Sequence, residues 1–342
     1  MKEYGNFKRL CFDDILLVPQ HSDIESRKQV SLASGIGSGI TSYALPLPVI
    51  ASPMDTVCEW EMAVEMRRLG GLGIIHRYMS IDEQVKQYKF VAAYNRIAGA
   101  AIGATGDYLE RAWKLAHAGC TLLLVDTANG HSQYAIDAVK KIYKTFGYNM
   151  HIMAGNVSTY EGFARLQDAG AHSIRVGIGG GSVCTTRLVS GHGVPTLASI
   201  MDIRERIPYG QGASLIADGG IRNSGDAAKA FAAGADAVML GSMLAGTEES
   251  PGLAVDGFKT FRGMASKEAQ MDGRGFVSVV EGVTTKVPFK GSVGKLMAEF
   301  AGGLGSALSY AGARNLREFY ENAEYVRVTH SSLEESSPHA SE

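Results

Sequence analysis

The sequence predicts a single closed (β/α)₈ barrel (a TIM barrel), and a doubly wound open sheet is the alternative. Three observations predict it: about eight short, β-branched apolar runs, helical stretches between them, and a length of 342 residues. Uninterrupted apolar strands that alternate with helices form a parallel sheet whose outer face the helices cover. Eight strands at this length favour closure into one barrel, which typically needs about 250 residues.

The apolar runs give the expected strands in chain order. Each run is four to seven residues long, and they lie at 48–52, 73–76, 97–103, 121–126, 151–154, 173–176, 214–217 and 237–240. The stretches between them carry helical patterns, and helices are expected over 59–69, 107–118, 160–169 and 226–233. Glycine tolerates the left-handed conformation that commonly ends a helix, so we expect Gly70, Gly119, Gly170 and Gly234 to end these four.

Two segments break this alternation. Residues 35–48 are rich in Gly, Ser and Pro and predict a hairpin or loop that leads into the first strand. Residues 247–291 follow the last strand with weak helical or strand character, and a loop this long in a compact domain is usually functional. We interpret it as a mobile flap over the site. The barrel is expected over residues 1–330, and the Ser-, Glu- and His-rich tail 331–342 is expected to be disordered.

Composition excludes several classes of protein. Apolar residues make up 45% of the chain and charged residues 20%, with a formal charge of −2 and no long Lys/Arg block, so no nucleic-acid partner is expected. No run approaches a membrane span, and the polar start lacks the apolar region of a signal peptide. Cys11, Cys58, Cys120 and Cys184 form no CxxC pair, which argues against disulfides and zinc and favours the cytoplasm.

The loop after the sixth run is the strongest candidate for chemistry. In a parallel barrel the catalytic groups follow the carboxyl ends of the strands, and here the sequence is VGIGGGSVCTTR, residues 176–187. Its glycines allow close backbone approach to a ligand, and its amides and carbonyls can turn inward toward ions. An isolated cysteine is more often a small buried hydrophobe, but this setting makes Cys184 a candidate nucleophile. The other three cysteines keep the structural interpretation.

The loops after the seventh and eighth runs predict a phosphate site. They read ADGGI and LGSMLAG, and backbone amides at such Gly-containing strand ends hold phosphate without a basic side chain. Gly219, Gly220, Gly241 and Ser242 would bind the phosphate, and Asp218 would accept hydrogen bonds from ribose hydroxyls. An anionic ligand can therefore be bound locally by a chain whose net charge is negative.

Further polar residues follow the other strands or lie in the flap. Asp126 and Asn156 end the fourth and fifth runs, although an Asp in such a place is often only a helix N-cap. His76 and His131 follow the second and fourth runs, and a lone histidine is more often structural. Glu281 lies among apolar flap residues, where a carboxyl group can serve in proton transfer, and a solvated loop carboxylate is the alternative.

Over nearly its whole length the chain resembles the IMP dehydrogenase/GMP reductase family. The matching motifs are FDDILLVP, SPMDTV, GIIHR, DTANGHS, MAGNV, GIGGGSVCTTR, ADGGIRNSGD, GADAVMLGSMLAG, RGM, VPFKG and GGLGSALSYAGA. The resemblance implies a homotetramer that binds a purine mononucleotide (GMP or IMP) and forms a covalent thioimidate on the cysteine. The implied substrate-binding residues are Ser52, Met54, Asn156, Ser182, Asp218, Gly219, Gly220, Gly241, Ser242, Gly263, Met264 and Gly282.

The resemblance also implies a nicotinamide cofactor and a potassium ion. The implied cofactor residues are Ser26, Arg27, His76, Asp126, Thr127 and Ala128, with Ser309, Tyr310, Ala311 and Gly312 contributed by a neighbouring subunit. The potassium ion would be bound by carbonyl groups of Gly179, Gly181 and Cys184, with Arg187 adjacent. Gly180 departs from the family pattern, which usually has Pro at this position.

The resemblance leaves two reactions to separate. Dehydrogenases of the family usually carry a pair of CBS modules after the second strand's helix and an Arg-Tyr pair in the flap, and this chain has neither. Reductases release ammonia with help from the residues that correspond to Thr186 and Glu281. ASPMDTV and GGLGIIHR are closer to dehydrogenase sequences. We therefore predict an NADPH-dependent GMP reductase, with an NAD-dependent IMP dehydrogenase and a catalytically silent nucleotide-binding protein as alternatives.

Overall fold

A computed structural model describes residues 9–37, 39–94 and 96–336 of the chain. None of the helices in these ranges is long and apolar enough to cross a membrane. The strands of the described residues are β1 (Ile15–Leu17), β2 (Ser34–Ile36), β3 (Tyr43–Leu45), β4 (Val49–Ala51), β5 (Leu72–Ile75), β6 (Gly99–Ile102), β7 (Leu122–Asp126), β8 (His151–Val157), β9 (Ser173–Val176), β10 (Ser214–Asp218), β11 (Ala237–Leu240), β12 (Phe258–Arg262), β13 (Thr284–Pro288) and β14 (Tyr325–Arg327).

Eight of these strands, β4 to β11, form a closed parallel barrel in the order β4-β5-β6-β7-β8-β9-β10-β11, and β11 pairs with β4 to close it. The predicted barrel is therefore confirmed, and the open sheet is not. Each of the eight apolar runs overlaps one of these strands, with ends that differ by at most three residues from the prediction. The carboxyl ends of all eight strands meet at one mouth, where a site is expected.

Helices cover the outside of the barrel and connect its strands. The α-helices of the described residues are α1 (Trp60–Arg68), α2 (Ile81–Ala93), α3 (Tyr108–His117), α4 (Gln133–Phe146), α5 (Tyr160–Asp168), α6 (Thr186–Ser190), α7 (Thr196–Arg206), α8 (Ser224–Ala232), α9 (Lys267–Arg274), α10 (Val293–Tyr310), α11 (Leu316–Asn322) and α12 (His330–Glu335). Gly70, Gly119, Gly170 and Gly234 follow four of them with φ between 89° and 104°, as predicted. Side chains of Ser80, Thr159 and Asn223 cap the starts of α2, α5 and α8.

The strand alternation creates two cores. Inward-facing residues such as Ile74, Leu124 and Met239 fill the barrel, and outward-facing residues such as Ile174 and Val176 pack under the helices. Since successive side chains of β9 face opposite sides, Arg175 points with Ser173 into the barrel, where both are buried. A charge inside the barrel requires partners, and these lie at its mouth.

The hairpin predicted before the first strand is present as β2 and β3, which pair antiparallel and cover the bottom of the barrel. His151, at the start of β8, is fully buried beneath it. Its Nδ1 lies 2.7 Å from the carbonyl oxygen of Thr41, and its Nε2 lies 2.7 Å from Ser173 Oγ. Burial lowers the pKa of His151 to about 4, so the ring is neutral in the folded protein.

Two segments have more regular structure than the sequence predicted. In residues 247–291, β12 and β13 pair antiparallel, and α9 lies between them in the chain. Ser266 caps the start of α9 by accepting from Ala269 N, and Gly275 ends the helix with φ 76°. The expectation of weak helical or strand character in this segment was therefore wrong. Its mobility remains a prediction. In the tail expected to be disordered, α12 forms with an ion pair between His330 and Glu334, and residues 337–342 lie outside the described residues.

Candidate active site

A cavity of about 280 Å³ opens at the mouth of the barrel, where loops from most of the eight strands meet the segment 247–291, which we call the flap. It is a concave site in the place where parallel barrels carry their chemistry. All three predicted catalytic residues line it, together with eleven of the twelve predicted substrate-binding residues: Ser52, Met54, Asn156, Ser182, Asp218, Gly219, Gly220, Gly241, Ser242, Gly263 and Met264. The twelfth, Gly282, is buried beside the lining.

Three side chains form a directed hydrogen-bond chain on the cavity wall. The Cys184 thiol donates to Thr186 Oγ1 at 3.2 Å, and the Thr186 hydroxyl donates to Glu281 Oε2 at 2.7 Å. All three side chains are partly buried. A nucleophile linked through a hydroxyl group to a carboxylate can pass its proton away as it attacks and receive one later. We call this chain the Cys-Thr-Glu relay.

Backbone pairing holds the flap end of the relay against the cysteine loop. Val283 N donates to Val183 O at 3.0 Å, and Glu281 N donates to Ala265 O at 3.1 Å, so the segment 281–283 lies between two neighbouring segments. Gly282 sits at the centre of this contact. A Cβ atom there would lie 3.1 Å from Ser266 N and 3.2 Å from Val183 O, so a side chain would push the flap off the cysteine loop.

The two Gly-containing loops after β10 and β11 face the same cavity. Gly219 and Gly220 have φ values of 88° and 84°, which only glycine adopts without strain. A Cβ atom on Gly219 would lie 3.1 Å from the amide nitrogen of Gly181, so this loop packs directly on the cysteine loop. The carbonyl of Ser242 accepts a hydrogen bond from Lys290 Nζ at 2.7 Å. The backbone amides of these two loops remain the predicted phosphate site.

A buried arginine joins two carboxylates in the floor of the cavity. Arg175 donates to Asp126 Oδ1 at 2.6 Å and to Asp218 Oδ2 at 2.8 Å. Burial alone would raise the pKa of Asp126, but the guanidinium groups of Arg175 and Arg77 hold it below its ordinary value. Asn156 Nδ2 donates to Asp218 at 2.7 Å. These hydrogen bonds fix the Asp218 carboxyl group beside the Gly219 loop.

The predicted cofactor residues divide into two groups. Asp126, Thr127 and Ala128 line the cavity on the side away from the phosphate loops, and we call this side the cofactor half. His76 does not line it. Its ring is buried, with Nε2 3.1 Å from Glu59 Oε1 and with Nδ1 accepting from Tyr78 N at 3.2 Å. Ser26, Arg27, Ser309, Tyr310, Ala311 and Gly312 lie outside this cavity, so their contribution from a neighbouring subunit remains a prediction.

The predicted potassium ligands lie in the cysteine loop. Gly179, Gly181 and Cys184 line the cavity, whereas Arg187 lies beside it and donates to Val194 O at 3.0 Å. Arg187 also packs on Gly179, whose Cβ position would lie 2.6 Å from its Cγ. The described residues contain no cluster of His, Cys, Asp and Glu that could bind a metal ion, so any ion site here would depend on backbone carbonyls.

A structural role was predicted for all three remaining cysteines, and their surroundings agree with it. Cys58 and Cys120 are buried, and burial raises the pKa of both thiols, that of Cys120 to about 12. Cys11 is only partly buried, and its thiol donates to Asp14 Oδ2 at 2.9 Å. Burial and this carboxylate raise its pKa, which opposes reactivity.

Sequence reasoning missed four polar or charged residues of the cavity: Arg77, Tyr78, Arg175 and Arg274. Arg77 and Tyr78 are the second and third residues after β5, so the rule that found Asp126 and Asp218 would also have found them. Arg175 carried a signal as well, because a charge within the apolar run SIRV requires a buried partner. Arg274 carried none, since the fold of the flap alone brings it to the cavity.

The IMP dehydrogenase / GMP reductase domain model matches residues 9–339 of the chain. Inosine-5'-monophosphate dehydrogenase of Rhizobium tropici is 48% identical and covers 96% of this chain and 94% of its own length. GMP reductase of Leishmania major is 32% identical, with 96% of both chains covered. Both alignments exceed 470 positions, so both relatives carry segments that a chain of 342 residues lacks.

Among solved structures, a cysteine-to-alanine variant of the GMP reductase of Trypanosoma brucei, in complex with guanosine 5'-monophosphate, is similar to this chain with a TM-score of 0.90. The two are 30% identical, and 98% of each chain is covered. The barrel and its flap are therefore shared with a protein that binds a purine mononucleotide.

Proposed function

Because the chain belongs to the IMP dehydrogenase/GMP reductase family, whose members are oxidoreductases acting on purine nucleotides, we propose that it is a GMP reductase. In this proposal it converts GMP to IMP and ammonia with NADPH, through a thioimidate on Cys184. The observation that carries the proposal is the relay, in which Thr186 links the thiol to Glu281 across the flap contact.

The relay supplies the proton transfers that loss of ammonia requires. The thiol proton moves through Thr186 to Glu281, and the thiolate adds to carbon 2 of the purine base. The exocyclic amine then takes up a proton from the same relay and leaves with the electron pair of its carbon–nitrogen bond, which gives the thioimidate. NADPH, when bound, supplies the hydride that reduces carbon 2, and cleavage of the carbon–sulfur bond returns the thiolate.

The remaining residues hold the nucleotide in register with Cys184. The amides of Gly219, Gly220, Gly241 and Ser242 would bind its phosphate, and Asp218, held in place by Arg175, would accept from its ribose hydroxyls. Ser52, Met54, Asn156, Ser182, Gly263 and Met264 would enclose the base and sugar, with Gly282 keeping the flap in contact. Such positioning removes translational freedom before the chemical step.

The cofactor half fits a nicotinamide dinucleotide. Arg77 Nε is buried there without a hydrogen bond among the described residues, although Asp126 Oδ2 lies 3.5 Å away, and a ligand oxygen would complete its hydrogen bonding. Asp126, Thr127 and Ala128 would contact that ligand. For potassium, the carbonyl oxygens of Gly179, Gly181 and Cys184 are ligands of the type the ion prefers, and such an ion would fix the cysteine loop.

The proposal also includes a homotetrameric assembly and a location in the cytoplasm.

IMP dehydrogenase is the second candidate, and the 48% identity to the Rhizobium tropici enzyme favours it. That reaction would use the same cysteine with IMP and NAD and would need water to hydrolyse the thioimidate. A catalytically silent nucleotide-binding protein is a third candidate, but the Cys-Thr-Glu relay would have no role in such a protein.

A steady-state assay that crosses GMP and IMP with NADPH and NAD tests the proposal. We expect GMP-dependent oxidation of NADPH with IMP as the product, at a rate above any formation of XMP from IMP and NAD. The reverse ranking would establish the dehydrogenase. Cys184→Ala should abolish turnover and retain nucleotide binding, and turnover that survives this substitution would exclude both enzymes.

A further inference from the structure

The flap brings an arginine into the cofactor half through one close contact. Gly273, in the last turn of α9, lies against the Tyr78 ring, and a Cβ atom there would come within 2.4 Å of two ring carbons. Because glycine has no Cβ atom, the helix can dock directly on the ring. The next residue, Arg274, then lines the same cavity as Arg77. Both guanidinium carbons lie 5.3 Å from the centre of the Tyr78 ring.

Of these two arginines, only Arg77 has a carboxylate at ion-pair distance within the described residues. Asp126 lies 3.5 Å from Arg77 Nε, and the same carboxylate also pairs with Arg175 at 2.6 Å. Asp55 and Asp272 both pair with Arg262, at 2.6 Å and 2.8 Å. Arg274 forms no ion pair within the described part of the chain. Two like charges around one ring repel each other unless an anion lies between them.

We propose that Arg77 and Arg274 bind a phosphoryl group of the dinucleotide, and that Arg274 thereby selects the cofactor whose adenosine ribose carries a phosphate. The proposal rests on the proposed function for the identity of the ligand. Guanidinium groups bind phosphate with paired, charge-assisted hydrogen bonds, and an arginine near the ribose is the usual means of accepting a ribose phosphate. Arg77 Nε is buried, makes no hydrogen bond within the described residues although Asp126 lies 3.5 Å away, and supplies one such donor.

The placement of Arg274 on the flap adds a consequence. Arg274 reaches the phosphate only when α9 is docked on the Tyr78 ring. The cofactor that carries the ribose phosphate should therefore favour the docked position of the flap. His76 is then a positioning residue, because its Nδ1 accepts from Tyr78 N and its Nε2 is fixed by Glu59. It holds the Arg77–Tyr78 loop from below without touching the ligand.

Direct binding of reduced cofactor, followed by nicotinamide fluorescence, tests this in the full-length protein and needs no turnover. Arg274→Gln should weaken NADPH binding at least about tenfold, the range for a lost hydrogen bond to a charged group, and change NADH binding less than about twofold. Arg274 is exposed, so the variant should fold. The matched control is Lys267→Gln, on the exposed start of α9 and outside the cavity, which should change neither affinity.

Each other result would overturn a stated part of the proposal. Equal weakening of NADPH and NADH would assign the arginine to the pyrophosphate that both share and end the claim of selection. Unchanged binding of both would remove Arg274 from the subsite, and wild-type protein without preference for NADPH would refute selection outright. If NADPH selectivity depends on Arg274 but GMP does not stimulate oxidation of NADPH, the proposed reaction fails and the phosphate subsite stands.

Discussion

Substitution of Thr186 by Val tests the relay most directly, because it replaces the hydroxyl by a methyl group of similar volume. The change removes both hydrogen bonds of the relay, at 3.2 Å to Cys184 and at 2.7 Å to Glu281. A hydrogen bond to a carboxylate contributes about 1.5–3 kcal/mol, and positioned proton transfer contributes about 10²- to 10⁴-fold in rate. We therefore expect kcat to fall by about 10²- to 10³-fold.

The Michaelis constant for GMP should change by less than about threefold, since the phosphate and ribose contacts lie in other loops. GMP-dependent oxidation of NADPH, followed by absorbance, gives both parameters. Thr185→Val is the matched control, because the neighbouring threonine side chain takes no part in the relay, and it should retain near wild-type kcat.

Glu281→Gln should lower kcat to a similar degree, and the double variant should be no worse than the more damaged single variant by more than about threefold. Groups that act in series on one proton lose their joint effect when either is removed. A Thr186→Val enzyme that keeps more than a tenth of wild-type kcat would refute the relay. So would full multiplicative loss in the double variant, because it would show that the two residues act independently.

Three further changes probe the scaffold under the site. Burial lowers the pKa of His151 from 6.5 to about 4, so between these pH values the unfolded chain binds a proton that the folded chain does not. The contribution of His151 to the free energy of unfolding is therefore fully present above pH 6.5 and is lost as the pH falls toward 4. Between pH 7.5 and 5 this amounts to about 2 kcal/mol, visible as a lower urea midpoint, and His151→Gln should flatten the dependence; an unchanged slope would contradict the assignment. Arg175→Gln leaves two carboxylates without their shared cation, which should cost about 3–5 kcal/mol and lower the melting temperature, and an unchanged melting temperature would refute the paired-charge account. Gly177→Ala places a Cβ atom 1.9 Å from Asp218 O at a φ of 141°, so GMP affinity measured by calorimetry should fall at least tenfold, and wild-type affinity would show that Asp218 does not hold the nucleotide.

The residues that could be predicted are those whose role follows from their place at a strand end. Cys184 and Asp218 follow β9 and β10, and the geometry of a parallel barrel alone brings such residues to one mouth. His76 shows the limit of that rule. It directly follows β5, but its ring turns to Glu59, the residue just before α1, because side-chain direction after a strand end depends on packing that the sequence does not display.

The flap was hidden from the sequence for a different reason. Its helix and strands are short and polar, so no apolar periodicity marks them, and they are stabilised by pairing between segments distant in the chain. Arg274 reaches the cavity only because Gly273 lets α9 lie on Tyr78, almost two hundred positions earlier. Glu281 could be singled out by its apolar neighbours, but its distance from Thr186 depends on that same folding.

The two reactions of this family differ in what approaches carbon 2 once the cysteine has added to it. Dehydrogenation must admit water to the thioimidate, whereas reduction must protonate a leaving amine and keep water away until the hydride arrives. Here the segment around Gly282 pairs on both sides, with Val183 of the cysteine loop and with Ala265, so backbone groups that could hold water beside the thiol are already bonded. The relay ends on the Glu281 carboxylate, which can store the thiol proton and return it to the amine. In the proposed reaction a flap of this kind would serve reduction, and the Arg-Tyr pair that the resemblance assigns to water activation is absent from its sequence.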